Sequence, residues 1–328
     1  MKFFRPRITA AFVALVAGSF ALNACSAGST ASSSSTHKSY SVGLVSFSQA
    51  SIASNEFITG FQEVADKNGW KTTLIDAQGA PDKAIAAIQN LVEKKVDAIY
   101  YTVFPANAMA AGVLAAKAAG IPVANVGGGL GAGVQGTWDF GYAEGQASMK
   151  EVMADLPKGG NLLALGYDLG GPCGARDQAM KKATAGTGIH VTFQQVTVPG
   201  QVQSGQQFAQ AWLAAHPASD GPNVIWACFD DPAQGAIAAV KAAGRTDVAV
   251  HGLDGPPANL RAIQKGDQAS TVWIDAHGAG RIAAETVPQL LANGVDGQKT
   301  IDEVAPFTVV TKQNVDAFLS KHPEALNQ

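Results

Sequence analysis

The feature that most restricts the fold of this chain is a regular alternation of short apolar strands with alanine-rich helices. Residues 40–47 have the β-branched and aromatic composition of a strand, and residues 56–70 place apolar side chains at the spacing of an amphipathic helix. The alternation continues to a strand predicted at 121–126. Strands that are separated by helices pair in parallel, so the pattern predicts a parallel sheet with helices on both faces.

The same order of elements begins again near residue 160. The segments 114–126 and 238–254 both contain an alanine-rich helix, a glycine stop and a valine-rich strand. Alanine-rich composition can produce such similarity by chance, but the matching order favours a duplicated architecture. We therefore predict an α/β fold with two doubly wound parallel-sheet lobes. Because ligands of such sheets bind beyond the carboxyl ends of the strands, the predicted site is a cleft between the lobes that closes by hinge motion.

The N-terminus has the composition of a targeting segment. A basic leader precedes the apolar residues 8–22, a run of signal-peptide length. Residues 22–25 (LNAC) resemble the lipobox of bacterial lipoproteins, in which the cysteine, here Cys25, becomes the lipidated first residue of the mature chain. An ordinary secretory signal that is cleaved nearby, for example after Ala27, is the alternative.

We predict a signal peptide over 1–24 and a lipid anchor with a flexible linker over 25–39, because residues 26–39 are small and polar and cannot bury a core. The mature protein is then extracytoplasmic, in the periplasm or on the outer face of the cytoplasmic membrane, and contacts the membrane through its lipid. Its remaining cysteines, Cys173 and Cys228, permit one disulfide in an oxidising compartment, or else two free buried thiols.

Composition excludes several classes of partner. The chain has 328 residues, of which 47% are hydrophobic, and this suffices for two lobes with sizeable cores. The net charge is −3 and Lys and Arg do not cluster beyond the leader, which argues against nucleic acid as a partner. The histidines are scattered singly, so no metal-ligand spacing is present. Residues 131–136 formally match a dinucleotide motif, but no helix start follows them, so a hinge connector is the better interpretation and no cofactor is expected.

Several segments, taken in order, carry a family resemblance: LIDAQGAPDKAIAAIQNLVEKKVDAI, AAKAAGIPV, NVIWACFDDPAQGAIAAVKAAG, VAVHGLDG and IQKGDQASTV. Through them, residues 40–313 resemble a type I periplasmic solute-binding protein of the ribose-binding cluster, the capture subunit of an ABC importer. The resemblance implies a monomer without enzymatic activity that captures a small solute and presents it to permease and ATPase subunits.

The resemblance also implies a three-segment hinge, with crossovers between the lobes near 127–139, 255–275 and 303–306. The N-terminal lobe then comprises 40–138 plus 276–304, and the C-terminal lobe comprises 139–275 plus 305–328.

The resemblance further implies where the ligand contacts lie. Asp254, at a strand end in the second half, matches the family's cleft aspartate and is the leading candidate, with capping of the next segment as the alternative. Asp230, beside Phe229, matches a cleft-facing polar position, although Asp230 and Asp231 could instead cap the helix that begins nearby. The other candidates could contact ligand or pack in the interior: Phe47, Trp138, Asp139, Tyr167, Asp168, Gln178, Trp273 and Asp275.

Departures from the family pattern bear on the ligand. Aromatic planes cover the apolar faces of a sugar, and charged side chains pair with its hydroxyls. The paired aromatics that relatives have after the first strand are replaced by residues 50–54 (ASIAS). Gly127 and Gly128 replace an Asp-Arg pair, and Gln178 replaces a second arginine, while Arg176 remains. Ribose is therefore not expected, and a polyol, a modified sugar or a less polar solute fits better.

Two other functions are weighed against solute import. A sensory module that reports to a chemoreceptor or histidine kinase has the same fold, and the sequence does not separate it from an importer subunit. A lipid-anchored enzyme would need a nucleophile and a base in the cleft, and the sequence indicates no such pair. A repressor with this core would need an N-terminal helix-turn-helix, and the leader occupies that place.

Overall fold

The computed structural model describes residues 38–297 and 299–326 of the chain. The predicted signal peptide and the predicted lipidation at Cys25 lie outside the described residues. Within them the fold is α/β and has two lobes, each built on a six-stranded sheet. The fold class predicted from the alternation of strands and helices is therefore confirmed.

Parallel pairing dominates both sheets. The first sheet contains β1 (Ser41–Ser46), β2 (Lys71–Asp76), β3 (Ala98–Thr102), β4 (Val123–Val126), β5 (Val134–Asp139) and β11 (Ile301–Val304). The second contains β6 (Gly160–Gly166), β7 (Ile189–Gln195), β8 (Asn223–Ala227), β9 (Val248–His251), β10 (Ser270–Ile274) and β12 (Phe307–Thr311). Their orders are β11-β5-β4-β3-β1-β2 and β12-β10-β9-β8-β6-β7, and β12 pairs antiparallel with β10.

Helices connect the strands and cover the faces of the sheets. They are α1 (Ile52–Lys67), α2 (Pro81–Glu93), α3 (Ala110–Ala118), α4 (Tyr142–Asp155), α5 (Gly171–Thr184), α6 (Gln201–Ala215), α7 (Asp230–Ala242), α8 (Pro257–Lys265), α9 (Ala276–Glu285), α10 (Val287–Asn293) and α11 (Val315–Lys321). Every residue of the central strands β3 (AIYYT) and β8 (NVIWA) is buried, whereas the edge strand β2 is partly exposed. Buried parallel strands need such nearly continuous apolar runs because helices cover both of their faces.

Helix α9 returns the chain to the first lobe by packing closely on α1. A Cβ atom at Gly60 would lie 2.1 Å from the carbonyl oxygen of His277, and one at Gly280 would lie 2.1 Å from that of Phe57. These two glycines therefore permit an approach of the two helix backbones that a larger residue at either position would prevent.

The chain passes between the two sheets three times: after β5, after β10, and between β11 and β12. β5 and β11 are neighbours at one edge of the first sheet, and β10 and β12 are neighbours at one edge of the second. The three connecting segments therefore lie along one side of the two lobes. Residues 134–139, which we interpreted as part of a connector, instead form β5, because they pair with β4 on one side and β11 on the other.

Candidate ligand-binding cleft

Two adjoining cavities lie between the lobes. They share the lining residues Ser51, Ala53, Phe140, Phe229 and Asp254. The first, here called the acidic chamber, has an empty volume of about 490 Å³ and is also lined by Ile52, Glu56, Asp230, Asp231, Pro256, Ile274 and Ala276. The second, here called the aromatic chamber, has about 480 Å³ and is also lined by Phe47, Val103, Tyr167, Gly170, Pro172, Cys173, Arg176, Val198 and Gln201. Both lobes thus line one shared space between them.

Some of the residues predicted to contact ligand do meet in this space. Phe47 from the first lobe and Tyr167 from the second line the aromatic chamber, and their rings pack edge to face with centroids 5.8 Å apart. Phe229 and Asp254 line both chambers. The assignment of these four side chains to ligand contact stays a prediction, and the geometry is consistent with it.

Arg176 is the buried centre of the site. Its side chain is 1% exposed, and it donates through Nε and Nη2 to the Phe140 carbonyl at 3.1 and 2.8 Å and through Nη1 to the Cys228 carbonyl at 2.6 Å. Its Nη2 also forms an ion pair with Asp254 Oδ1 at 2.9 Å. The angles of this contact leave Asp254 Oδ1 without a hydrogen bond from the described residues. Arg176 therefore ties the connecting segment after β5 to the end of β8 and to the predicted ligand aspartate.

The backbone of Asp254 is held in an unusual conformation. Its φ is 101°, in the left-handed region that non-glycine residues rarely adopt, at a cost of about 1–3 kcal/mol. Its N–H donates to the Val272 carbonyl at 2.8 Å, and its own carbonyl accepts from the Ile274 N–H at 3.2 Å. These bonds to β10 fix the strained residue at the cleft.

Asp230 anchors the loop that carries Asp254. Its Oδ2 accepts from the Gly255 N–H at 2.8 Å and from the Thr271 hydroxyl at 2.5 Å. Its Oδ1 accepts from the amides of Asn259 at 3.1 Å and Gln268 at 2.8 Å. Because both oxygens are occupied and the residue is 1% exposed, the structure corrects the prediction that Asp230 offers its carboxylate to the ligand.

Asp231, beside it, has the more open carboxylate. Its Oδ2 accepts from Gln201 Nε2 at 2.9 Å, and the same amide donates to the Ala50 carbonyl of the first lobe at 3.2 Å. The residue lines the acidic chamber and is 8% exposed. Gln201 therefore couples a cleft carboxylate to a direct bond between the lobes.

A second direct bond between the lobes involves a strained turn at Val103. The Phe104 N–H donates to the Thr102 carbonyl at 2.8 Å, which makes a three-residue γ-turn, and the central Val103 has a φ of 69°. This turn presents the Val103 carbonyl to the Gly171 N–H of the second lobe at 2.7 Å. The two lobes are thus in a closed arrangement, with hydrogen bonds across the cleft.

Three predicted ligand contacts belong to other parts of the structure. Trp138 is 2% exposed and stacks on Tyr100 in the first core, with centroids 6.1 Å apart. Trp273 packs against Phe318 at 5.1 Å in the second lobe. Asp275 accepts from the Gly278 N–H at 2.7 Å and caps α9. The structure therefore corrects these predictions: both tryptophans lie on strand faces that point into the cores, and Asp275 is used by a helix end.

Asp139, Asp168 and Gln178 lie outside the two chambers. They line a separate open groove of about 890 Å³ together with the glycine-rich residues 127–129 and Asp302. A Cβ atom at Gly127 would lie 2.7 Å from Pro172, a residue of the aromatic chamber wall, so the two lobes meet between groove and chamber. The structure does not bring these three side chains to the predicted site.

Sequence reasoning missed several lining residues. Ser51 is the N-cap of α1, Glu56 is the fifth residue of that helix, and Gln201 is the first residue of α6. Phe140 lies in the connecting segment after β5. These three residues lie on helices that follow the carboxyl end of a strand, and that position is the sequence signal that could have identified them. No sequence pattern indicated the position of Phe140.

A disulfide joins Cys173, in the first turn of α5, to Cys228, which directly follows β8. The two Cα atoms are 5.3 Å apart, and Cys173 lines the aromatic chamber. The cross-link therefore fixes the start of α5, and with it Arg176, against the strand end whose carbonyl Arg176 binds.

Several buried carboxyl groups have raised pKa values. Burial raises the pKa of Glu144 to about 7, with nearby Arg176 opposing the shift, and raises the pKa of Asp177 to about 7. Burial also raises the pKa of Asp230 to about 7 and that of Asp231 to about 6, in spite of the hydrogen bonds that each accepts. The folded state therefore retains protons that the unfolded chain has released near pH 4.

We expect the stability of the ligand-free protein to fall as the pH rises. The stabilising contribution of these groups is fully present below pH 4 and is lost as the pH rises through about 7, since the folded state binds more protons in that window. The free energy of unfolding should drop by more than about 1 kcal/mol between pH 5 and pH 8 in urea titrations. Glu144→Gln should make the decline shallower. A stability that is flat or rising over this range would contradict the expectation.

A serine, a histidine and an aspartate form a hydrogen-bonded row outside the cleft. Ser270 Oγ lies 2.8 Å from His251 Nδ1, and His251 Nε2 lies 3.0 Å from Asp155 Oδ2. Ser270 and His251 are each 1% exposed and neither lines the chambers, so no substrate can reach the hydroxyl. Among the described residues that line the chambers, none forms a nucleophile–base pair.

None of the helices in the described residues combines the length and apolar character that a membrane crossing requires. Over the same residues, no group of three or more His, Cys, Asp or Glu side chains is placed to hold a metal ion.

Comparisons with known proteins agree with this architecture. A family model described as a periplasmic binding protein domain matches residues 42–295. The ribose import binding protein RbsB of Bacillus subtilis is 27% identical over 323 residues, which cover 92% of this chain and 98% of that protein. The xylitol-binding protein of Mycolicibacterium smegmatis is 28% identical over 303 residues, which cover 91% and 84%. The crystal structure of an ABC transporter solute-binding protein from Agrobacterium vitis with bound allitol superimposes with a TM-score of 0.79 at 23% identity, covering 87% and 99%.

Proposed function

The chain belongs to the periplasmic binding protein family, in the type I ribose-binding cluster, and from this membership we propose that it captures a sugar or polyol in the cleft between its lobes for an ABC importer. The observation that carries the proposal is the pair of adjoining chambers, lined from both lobes and sharing Asp254. Relatives with this architecture are transport proteins that bind a substrate, and the chain is accordingly not an enzyme.

Closure around the solute follows from the two-sided lining. A solute in the chambers contacts the first lobe through Ser51 and Phe47 and the second through Phe229 and Asp254. It can make both sets of contacts only when the lobes are together, so it binds the closed arrangement more tightly and increases its population. The permease then distinguishes loaded from empty protein by shape.

We propose further that the protein is a monomeric lipoprotein, cleaved before Cys25 and lipidated there. It lies outside the cytoplasmic membrane and delivers its solute to the permease and ATPase subunits of the importer. The lipobox-like residues 22–25 and the small, polar composition of 26–39 support the anchor. The relative in Bacillus subtilis that matches nearly the whole chain is an import binding protein, which supports the transport partners.

We expect Asp254→Ala to weaken solute binding by about tenfold to a hundredfold, because a hydrogen bond to a charged group contributes about 1.5–3 kcal/mol. A thermal-shift screen of the mature protein against sugars and polyols first identifies a ligand, and calorimetry then gives the affinity of each variant. Asp254→Asn keeps the shape of the side chain and removes only its charge.

Asp220→Ala, at an exposed position of the second lobe, is the matched control and should bind like the native protein. If Asp254→Ala and Asp254→Asn both retain native affinity for a solute that shifts the melting temperature, the cleft assignment is wrong.

A further inference from the structure

The ionisable side chains of the acidic chamber all carry the same sign. Glu56, Asp230, Asp231 and Asp254 line it, and no basic side chain is among the described residues of its lining. The remaining polar side chain is that of Ser51, whose hydroxyl already accepts from the Ser54 N–H at the start of α1. The chamber therefore offers hydrogen-bond acceptors and negative charge to whatever occupies it.

The protein supplies little positive charge in return. Arg176 is the basic side chain that lines the joined chambers, and its donors go to two backbone carbonyls and the ion pair with Asp254. Among the described residues, the side chain that donates a hydrogen bond to the Asp231 carboxylate is the amide of Gln201. Glu56 lies 3.4 Å from His277 Nδ1, but two carboxylates share this imidazole, because its Nε2 lies 3.0 Å from Glu63.

The carboxyl groups behind the chamber add to this imbalance. Glu144 is fully buried, and neither of its oxygens has a hydrogen-bond partner among the described residues. Glu144 and Asp139 both interact electrostatically with Arg176. One guanidinium thus faces Asp254, Asp139 and the partly protonated Glu144 together, so its single positive charge is shared among them.

The walls of the chamber suit a cation as well. Phe140 and Phe229 line both chambers, and the electron-rich face of an aromatic ring attracts a positive group. Asp231, 8% exposed, and Asp254, whose side chain is 20% exposed, both line a cavity that is closed by both lobes. Hydroxyl groups can donate to these oxygens, but only a cationic donor also balances their charge.

We propose that the solute of this protein carries an ammonium group, which lies in the acidic chamber against Asp231 and Asp254, while its less polar remainder occupies the aromatic chamber. The proposal rests on the proposed function and narrows the ligand class from sugars and polyols to their amino derivatives. The ammonium donates to Asp231 and to Oδ2 of Asp254, the oxygen that is not paired with Arg176, and Phe140 and Phe229 flank it.

Matched pairs of compounds test the proposal. Sorbitol and 1-amino-1-deoxysorbitol differ only in one hydroxyl that becomes an ammonium, and glucose and glucosamine form a second pair. Calorimetry at pH 7.5 and low salt should show the amino compound of at least one pair binding about tenfold or more tightly than its neutral partner, because hydrogen bonds between charged groups are roughly twice as strong as neutral ones. Asp231→Asn should bring this affinity ratio close to one, and Asp220→Asn should leave it unchanged.

The outcomes separate the two proposals. Neutral polyols that bind as tightly as their amino partners, or more tightly, overturn the ammonium proposal and leave the proposed function intact. An amino preference that survives in Asp231→Asn also overturns it, because the charge would then act elsewhere. If no amino compound binds while a neutral sugar or polyol of the thermal-shift screen does, the ammonium proposal fails and the proposed function stands; if no sugar, polyol or amino derivative binds, both proposals fail. Circular dichroism of each variant confirms that it is folded.

Discussion

Replacing Arg176 with methionine should lower the free energy of unfolding by about 3–5 kcal/mol, the usual cost of removing one partner of a buried ion pair. The guanidinium is 1% exposed and binds the Phe140 and Cys228 carbonyls as well as Asp254. Methionine preserves most of the side-chain volume, so the loss of stability measures the contribution of the charge and the hydrogen bonds rather than that of packing. Asp254 and Glu144 would lose the guanidinium that opposes their negative charge.

Urea titrations at pH 7.5 measure this loss. Arg261→Met, at an exposed position of α8, is the matched control and should change stability by less than about 0.5 kcal/mol. Arg176→Lys should recover only part of the loss, because an ammonium cannot reproduce the planar arrangement of donors that reaches three acceptors. A methionine variant as stable as the native protein would show that Arg176 does not organise the site.

Removing the disulfide should lower the free energy of unfolding by nearly as much as Arg176→Met does. Cys173 and Cys228 are 55 residues apart in sequence, and a cross-link over a loop of that length stabilises the folded state by about 4 kcal/mol in the chain-entropy account. The double variant Cys173→Ala with Cys228→Ala should therefore unfold at a clearly lower urea concentration. Solute affinity should fall as well, because Cys173 lines the aromatic chamber.

The native protein in reductant is the control for this variant, since it retains both cysteine side chains and loses only the cross-link. It should lose most of the stability that the double variant loses. If reductant and the double variant both leave the unfolding midpoint unchanged, the two cysteines do not form a stabilising bond in solution.

Local patterns sufficed for much of the fold. Buried parallel strands carry continuous apolar runs, and the helices between them have glycine stops, so both lobes are recognisable without any distant contact. Asp254 came from the family resemblance, and its place three residues after β9 agrees with the edge of the sheet where ligands bind. Phe47 and Tyr167 likewise follow strand ends, β1 and β6.

The remaining details depend on contacts between distant segments. β5 forms because Val134–Asp139 pairs with Ile301–Val304, which no local pattern predicts. Asp230 and Asp231 are neighbours at the start of α7, yet the first is occupied by Asn259, Gln268 and Thr271 and the second lines the chamber more openly. Trp138 and Trp273 lie on strands, where successive side chains point to opposite faces, and only the packing of the lobes decides which face is the core.

The three connecting segments lie on one side of the two lobes, here called the spine, beside β5, β11, β10 and β12. The opposite side, here called the margin, lies beside β2 and β7, the other edges of the two sheets. At that margin Gly79, after β2, meets Val198, after β7: a Cβ atom on Gly79 would lie 3.1 Å from the Val198 carbonyl oxygen. In the hinge closure proposed above, rotation about the spine would move this margin farthest and the region of Phe140 least. A solute would then enter past the margin, and the bond from Gln201 to the Ala50 carbonyl would be among the last to form.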